Sequence, residues 1–301
     1  MRILITGGSG FIGSPIIKKL IKYKRSHQIL ALTRQLTTEL PQAKNINWIE
    51  ADLNNLTPVA SVIKNFKPDV VIHLAWTNIP DFSAQTCCDN LKQSLNFFQL
   101  IWSVGSCRKI LVAGSCLEYG SKIGICSESD IANPIEFFSW AKLSLLNYLK
   151  LETELRGICF GWFRVFYAYG PNQRKGSVIP MVIDNLTKGK LPALEAPNNC
   201  NDFIYIADIA ELFELAIDAQ FPSGIYNIGS GEATSVINIC KIAEMIILNQ
   251  KKLSMALERE TSNTPIDASF YAATELTGSV FNWKAKTQLI DGIKDTYLQG
   301  K

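Results

Sequence analysis

Three glycines near the amino end are spaced to hold phosphate. Gly7, Gly10 and Gly13 lie in Thr6-Gly7-Gly8-Ser9-Gly10-Phe11-Ile12-Gly13, directly after the apolar, β-branched run Arg2–Thr6. An amphipathic stretch follows, with Ile16, Ile17, Leu20 and Ile21 on one face and Lys18, Lys19 and Lys22 on the other. Strand, glycine turn and helix form a cradle. Gly7 permits a turn that a Cβ would obstruct, Gly10 lets the backbone approach a pyrophosphate, and Gly13 lets the helix pack close to the strand. The helix N-terminus adds free N–H groups and a partial positive charge. A plain strand-to-helix turn also uses such glycines. Their place between a strand and a helix selects the dinucleotide reading.

Other polar residues fall where further strands should end. Gln28–Thr33 reads as a second strand, followed by Arg34. In a dinucleotide fold this tip faces the adenosine ribose, where an acidic residue would reject a 2′-phosphate and an arginine would pair with one. Arg34 therefore favours NADP over NAD, with a solvated loop arginine as the competing reading. Asn47–Ala51 is a third strand, and Asp52 after it suits either an adenine amino group or an N-cap. Pro58–Phe66 reads as a helix. Asp69–Ala75 is a nearly all-apolar fourth strand, as expected with both faces covered. His73 within it reads as a core histidine. A helix over about 83–104 carries Asn90, and Lys109–Gly114 is the fifth strand, followed by Ser115. Strands alternating with helices predict a doubly wound parallel α/β sheet of Rossmann type. Ligands bind such sheets at the carboxyl ends of strands, where Gly7, Arg34, Asp52, Ala75 and Ser115 all fall.

Composition narrows the class. The chain has 301 residues, 47% hydrophobic and 19% charged, enough for a large core. A net charge of +3 is too small and dispersed for a nucleic-acid partner. With 2 His and no CxxC pair among 8 Cys, a metal site has no support in the spacing. Most of the cysteines lie in apolar stretches and read as reduced core thiols of a cytoplasmic protein. The opening run ends in glycines and is not a signal peptide, and no stretch approaches the ~18 apolar residues of a membrane span.

Further along come Ala113-Gly114-Ser115-Cys116-Leu117-Glu118-Tyr119-Gly120 and Asn133-Pro134-Ile135-Glu136-Phe137-Phe138-Ser139-Trp140-Ala141-Lys142, the latter opening a helix to about Leu155. With these in view the chain resembles the extended short-chain dehydrogenase/reductases, the nucleotide-sugar epimerase/dehydratase group. The matching pieces are TGGSGFIG at 6–13, ADL at 51–53, VIHLAW at 71–76, GSCLEYG at 114–120, RVFYAYGP at 164–171, NDFIYIAD at 201–208 and YNIGSG at 226–231. They span nearly the whole chain.

The resemblance implies a Ser, a Tyr and a Lys, the last two spaced YxxxK so that both side chains share one helix face. The ammonium lowers the tyrosine pKa and holds the nicotinamide ribose; the tyrosine moves a proton while hydride passes at C4 of the nicotinamide; the serine hydrogen-bonds the reacting oxygen. Ser115 is then the serine and Lys142 the lysine. The tyrosine position is Phe138, which has no proton to give. Two explanations are open: an introduced tyrosine-to-phenylalanine exchange, or a native chain that lacks the acid or takes it from elsewhere, with Tyr119, Tyr167 and Tyr169 as substitutes. Cofactor contacts are implied for Gly7, Gly10, Phe11, Ile12, Gly13, Arg34, Asp52, Leu53, Leu74, Ala75, Trp76 and Lys142. Substrate contacts are implied for Ser115, Tyr167, Arg174 and Asp202.

Residues 1–169 would form the dinucleotide-binding domain, with 202–230 returning to it. Residues 170–201 and 231–301 would form a small substrate lobe. Family members often carry Arg where Asn201 stands and Asn where Tyr167 stands. The 4,6-dehydratases of the family place Asp-Glu after the serine, where this chain has Cys116 and Leu117. That disfavours dehydration and leaves hydride chemistry at C4 of a nucleotide-diphosphate sugar. A 4-ketoreductase is favoured over a 4-epimerase, and a catalytically silent NADP-binding scaffold or sensor is the alternative of another class. An isomerase using Cys116 lacks a nearby His to activate it. A homodimer through helices near 83–104 and 138–155 is implied, although their apolar residues also suit an ordinary core.

Overall fold

The computed structural model describes residues 1–23, 26–194, 196–250, 252–261 and 269–300. Seven parallel strands form one sheet: β1 (Arg2–Thr6), β2 (Gln28–Thr33), β3 (Ile46–Glu50), β4 (Val70–His73), β5 (Lys109–Ser115), β7 (Cys159–Val165) and β10 (Gly224–Ile228). Their order is β10-β7-β5-β4-β1-β2-β3. The expected doubly wound sheet is present, with boundaries shifted by a residue or two.

Period-two alternation explains how the sheet carries two cores. Ile3, Ile5, Ile29, Ala31, Leu111 and Phe163 point to one face and pack with Ile16, Ile17 and Leu20 of α1 (Gly13–Tyr23) and Ile209, Leu212, Phe213 and Ala216 of α6 (Ile206–Asp218). Leu4, Leu30, Val71, Ile110, Val112 and Trp162 point to the other. They pack with Val59 and Ile63 of α2 (Thr57–Phe66), Phe97, Phe98 and Ile101 of α3 (Ala84–Val104), and Leu145, Leu146 and Leu149 of α4 (Phe137–Arg156). Much of the apolar surplus on α3 and α4 is thus core; Trp140, Leu151 and Leu155 remain exposed on α4. Lys109, on a buried central strand, is explained by its Nζ, which donates to the carbonyls of Ala216, Ile217 and Ala219 at 2.9, 2.6 and 2.7 Å and so caps the end of α6.

A second, smaller sheet contains β6 (Gly124–Cys126), β9 (Cys200–Tyr205), β11 (Ala233–Ser235) and β12 (Ser269–Ala272), in the order β11-β9-β12-β6, with β8 (Tyr167–Tyr169) also paired to β9. The strand read at Asp202–Tyr205 therefore begins earlier and belongs to this sheet; α6 and β10 after it are what return to the main layer. Helices α5 (Val178–Thr187), α7 (Val236–Leu248) and α10 (Leu289–Gln299) enclose a third core of Ile179, Val182, Leu186, Ile239, Cys240 and Ile293. Helices α8 (Lys252–Thr261) and α9 (Glu275–Phe281) complete the chain. Residues 262–268 of the expected substrate lobe lie outside the described residues. Among the described residues, no helix is long and apolar enough to cross a membrane.

Candidate cofactor and catalytic site

The glycine cradle is built as the spacing requires. Gly7 has φ +70°, and a Cβ there would lie 2.8 Å from the Ala75 nitrogen and 2.9 Å from the Leu74 carbonyl carbon. It both turns the chain and lets β1 pass the end of β4. A Cβ on Gly13 would stand 2.2 Å from the Gly7 carbonyl oxygen, so only glycine lets α1 start this close to the loop. Gly10 donates its N–H to the Gly7 carbonyl at 3.0 Å. Gly7, Gly10, Phe11, Ile12 and Gly13 line a groove of about 260 Å³ together with Arg34, Asp52, Leu53, Leu74, Ala75 and Trp76. Eleven of the twelve positions expected to touch a cofactor are therefore brought to one groove; the twelfth, Lys142, stands beside it against Trp76.

At the adenosine end, Arg34 is exposed at the tip of β2. It also lines a neighbouring cavity of about 910 Å³ with Lys18. Asp52 is partly committed: its Oδ1 accepts from the backbone and side-chain nitrogens of Asn54 at 2.9 and 3.1 Å, holding the turn after β3. His73 is the expected core histidine. It is 1% exposed, with Nδ1 2.8 Å from the Thr6 hydroxyl and Nε2 3.0 Å from the Ser94 hydroxyl. Burial pushes its pKa down to about 3.

The expected catalytic residues are carried by β5 and α4. Lys142 is 5% exposed and donates through Nζ to the Ala113 carbonyl at 2.9 Å. The face of Trp76 covers the same ammonium at 4.4 Å. Burial lowers the lysine pKa to about 8, against a smaller opposing pull from Glu118. Ser115 N-caps the short helix 116–119. Its Oγ accepts from the Leu117 amide at 3.2 Å, which leaves its own O–H free to donate. Phe138 packs in an apolar box, 4.8 Å from Phe82 and 5.1 Å from Trp76 between ring centres, with Cys87, Ala141 and Leu117 around it. Of the substitute tyrosines, Tyr119 donates to Asn227 Oδ1 at 2.7 Å, and Tyr169 is buried against Tyr205 in the third core. Tyr167 is half-buried between Phe203 and Phe270, and burial raises its pKa. Cys116 is buried and its thiol pushed well up, which removes the support for an acid–base cysteine.

None of the four expected substrate residues, Ser115, Tyr167, Arg174 and Asp202, lines this groove. Asp202 is fully buried and its carboxylate is used up: it accepts from Ser230 N at 2.6 Å, Ser230 Oγ at 2.7 Å, Gly231 N at 2.9 Å and Ala272 N at 3.1 Å. It ties β9 to the loop after β10 and to β12, and no oxygen is left for a ligand. Arg174 is exposed on the loop after β8 and lines neither the groove nor the adjoining cavity; its carbonyl accepts from Ser177.

Sequence reasoning passed over Glu118. Its buried carboxylate accepts from Ser115 N at 2.8 Å, Trp162 Nε1 at 3.0 Å and Arg164 Nε at 2.8 Å. Ser115-x-x-Glu118 is a capping box, so the signal was present in the spacing. Gly114 is needed here, because a Cβ would lie 2.1 Å from Trp162 Nε1 and 2.8 Å from Glu118 Oε1. Among the described residues no group of three or more His, Cys, Asp or Glu could hold a metal.

A parallel sheet with this cradle at its strand ends is a Rossmann-type fold, and Ser115 and Lys142 stand at the strand end beside the cradle. The chain matches the NAD dependent epimerase/dehydratase family over residues 3–229 and belongs to it. That is a family of nucleotide-sugar epimerases, dehydratases and reductases. The chain is 26% identical to the dTDP-4-dehydro-6-deoxyglucose reductase of Escherichia coli, over 97% of this chain and 95% of that one. It is 28% identical to a putative UDP-glucose 4-epimerase of Methanocaldococcus jannaschii, over 97% and 96%. In fold it is similar to the UDP-glucose 4-epimerase of Thermotoga maritima solved with UDP-glucose, with a TM-score of 0.83 at 21% identity, covering 99% and 98% of the two chains.

Proposed function

We propose that the protein binds a nicotinamide dinucleotide, NADP in preference to NAD, and acts at C4 of a nucleotide-diphosphate sugar as a 4-ketoreductase. The observation that carries this is the joining of two half-sites. The cradle at the ends of β1 to β4 fits a dinucleotide, since Gly7 and Gly13 leave no room for a Cβ, and the buried Lys142 ammonium and the free Ser115 O–H stand at the adjoining strand end. The cofactor would supply hydride to the C4 carbonyl carbon, and with Phe138 in the tyrosine position the C4 oxygen would take its proton from solvent. Ser115 would donate to the carbonyl oxygen, and Lys142 would hold the nicotinamide ribose. Arg34, exposed at the tip of β2, supports the 2′-phosphate. The sugar would lie toward the lobe of residues 170–201 and 231–301. A 4-epimerase differs in keeping its cofactor bound and oxidised at rest, a state that copurifying cofactor reports.

A silent, cofactor-binding scaffold is the second reading, favoured by the apolar box around Phe138. One experiment separates the two. Phe138→Tyr supplies the missing phenol, and NADPH oxidation with a nucleotide 4-ketosugar should rise by about 100- to 10,000-fold, the scale of positioned acid catalysis. Cofactor binding without turnover in this variant establishes the scaffold and overturns the reductase.

A further inference from the structure

The polar side chains that line the adenosine groove are mostly engaged within the protein. Ser9 and Thr33 share a hydrogen bond of 2.8 Å, Thr6 is bonded to His73, Thr77 to Asn90, and Asp52 to Asn54. Two groove residues stand apart: Trp76, whose indole Nε1 is buried without a hydrogen-bond partner, and Gln93, which offers both a donor and an acceptor. Gln93 lies on α3, lines the groove, and is only 6% exposed, yet its carboxamide makes no hydrogen bond within the protein among the described residues. The amide therefore lines the groove with its donor and its acceptor both unused by the protein, open to a ligand that supplies partners. The helix is held rigidly beneath that groove: Asn90 Oδ1 accepts from the Thr77 amide at 2.7 Å, and the Ser94 hydroxyl meets His73 at 3.0 Å. Gln93 sits between these two anchors in sequence, so its backbone position is fixed from both sides.

We propose that Gln93 reads the adenine of the dinucleotide, its carbonyl accepting from the 6-amino group and its NH₂ donating to the adjacent ring nitrogen. A carboxamide presents donor and acceptor side by side, the pairing that glutamine and asparagine make with adenine edges. The groove decides between the two ends of the cofactor. It is lined by the carboxyl ends of β1 to β4, with Leu32–Arg34 and Ala51–Leu53, and not by Ser115, Phe138 or Lys142. It is therefore the adenosine half, and the nicotinamide carboxamide is not what Gln93 meets. This rests on the dinucleotide reading above.

The test uses ADP, purine-riboside 5′-diphosphate, which differs from ADP only in lacking the 6-amino group, and reduced nicotinamide mononucleotide. Affinities are measured on the full chain by titration. The wild-type chain should bind ADP about 10-fold more tightly than its deamino partner. In Gln93→Met, which keeps the stem length, that ratio should fall to about 2 or less, with the mononucleotide affinity unchanged. Gln93→Ala, checked by thermal unfolding, should show the same collapse and covers a failure of the first variant to fold. A ratio that survives in a folded variant, or an equal loss for the mononucleotide, overturns the role of Gln93. A wild-type chain that binds ADP without preferring the 6-amino group overturns it alone. One that binds neither ADP nor the mononucleotide overturns the dinucleotide reading with it.

Discussion

The two halves of the site are built from different materials. The adenosine half is backbone: glycines without room for a Cβ, amides at a helix start, and strand ends brought together by a parallel sheet. The half proposed as catalytic rests on buried charge: Lys142, Glu118 and Arg164 are each 5% exposed or less. Backbone sites bind without much cost to the fold, whereas buried charges couple every functional group to stability. Changes in the first half should therefore move binding, and changes in the second should move stability first.

The largest effect is expected at Glu118. Glu118→Gln removes the charge that faces Arg164 Nε at 2.8 Å and leaves a buried guanidinium without its partner. Urea unfolding should show a loss of about 3–5 kcal/mol. A loss under about 1 kcal/mol would mean that Arg164 finds other compensation, and the contrast between the halves would fail at its strongest point.

Lys142 gives the next effect, and its sign is set by burial. The pKa falls from 10.5 to about 8 on folding, so between those values the unfolded lysine holds a proton that the native one has lost. Stability then rises with pH across that window, by up to about 3 kcal/mol, and the same amount is withheld below it. The comparison to make is wild type against Lys142→Met, by urea unfolding from pH 7 to 10.5. The wild type should gain stability relative to the variant as pH rises; a difference independent of pH would show that the ammonium is solvated.

Gly10 tests the other half. A Cβ there meets only the Gly7 carbonyl, at 3.1 Å, and φ is not in the left-handed region. Gly10→Ala should unfold within about 1 kcal/mol of the wild type. Dinucleotide affinity should drop by about 10- to 100-fold, because the methyl group stands where the backbone must approach the phosphates. A destabilised protein with unchanged affinity would invert the comparison.

The same difference of materials explains what could be read in the chain. The cradle was legible because glycine spacing, a β-branched run and a helical apolar stripe are local signals, and the groove collects the residues they pointed to. The doubly wound parallel sheet followed from the alternation of strands with helices. Asp202 was misassigned because the groups that consume its carboxylate come from 28 to 70 residues away, at Ser230, Gly231 and Ala272. Gln93 carried no local signal at all: on a helix whose neighbouring polar residues Asn90 and Ser94 are structural, only the closed fold shows which amide is left without a partner. Glu118 lay between, visible as a capping box but not as the anchor of a buried arginine. Tertiary electrostatics, unlike backbone geometry, has no short-range code.

Ser115 is where the two halves meet, and the smallest effect is expected there. Its hydroxyl oxygen accepts from the Leu117 amide as an N-cap, while its backbone N–H is taken by Glu118. The hydroxyl proton is not engaged within the protein among the described residues. Ser115→Ala should therefore cost about 1 kcal/mol, the value of an N-cap, and leave dinucleotide affinity intact. In the Phe138→Tyr background it should also lower kcat by more than the stability loss explains, since the donor to the reacting oxygen is gone. Ser115→Thr keeps both the cap and the donor and should restore most of each. A Ser115→Ala variant that loses stability but no turnover would reduce Ser115 to a cap and leave Lys142 as the sole functional side chain on this side of the groove.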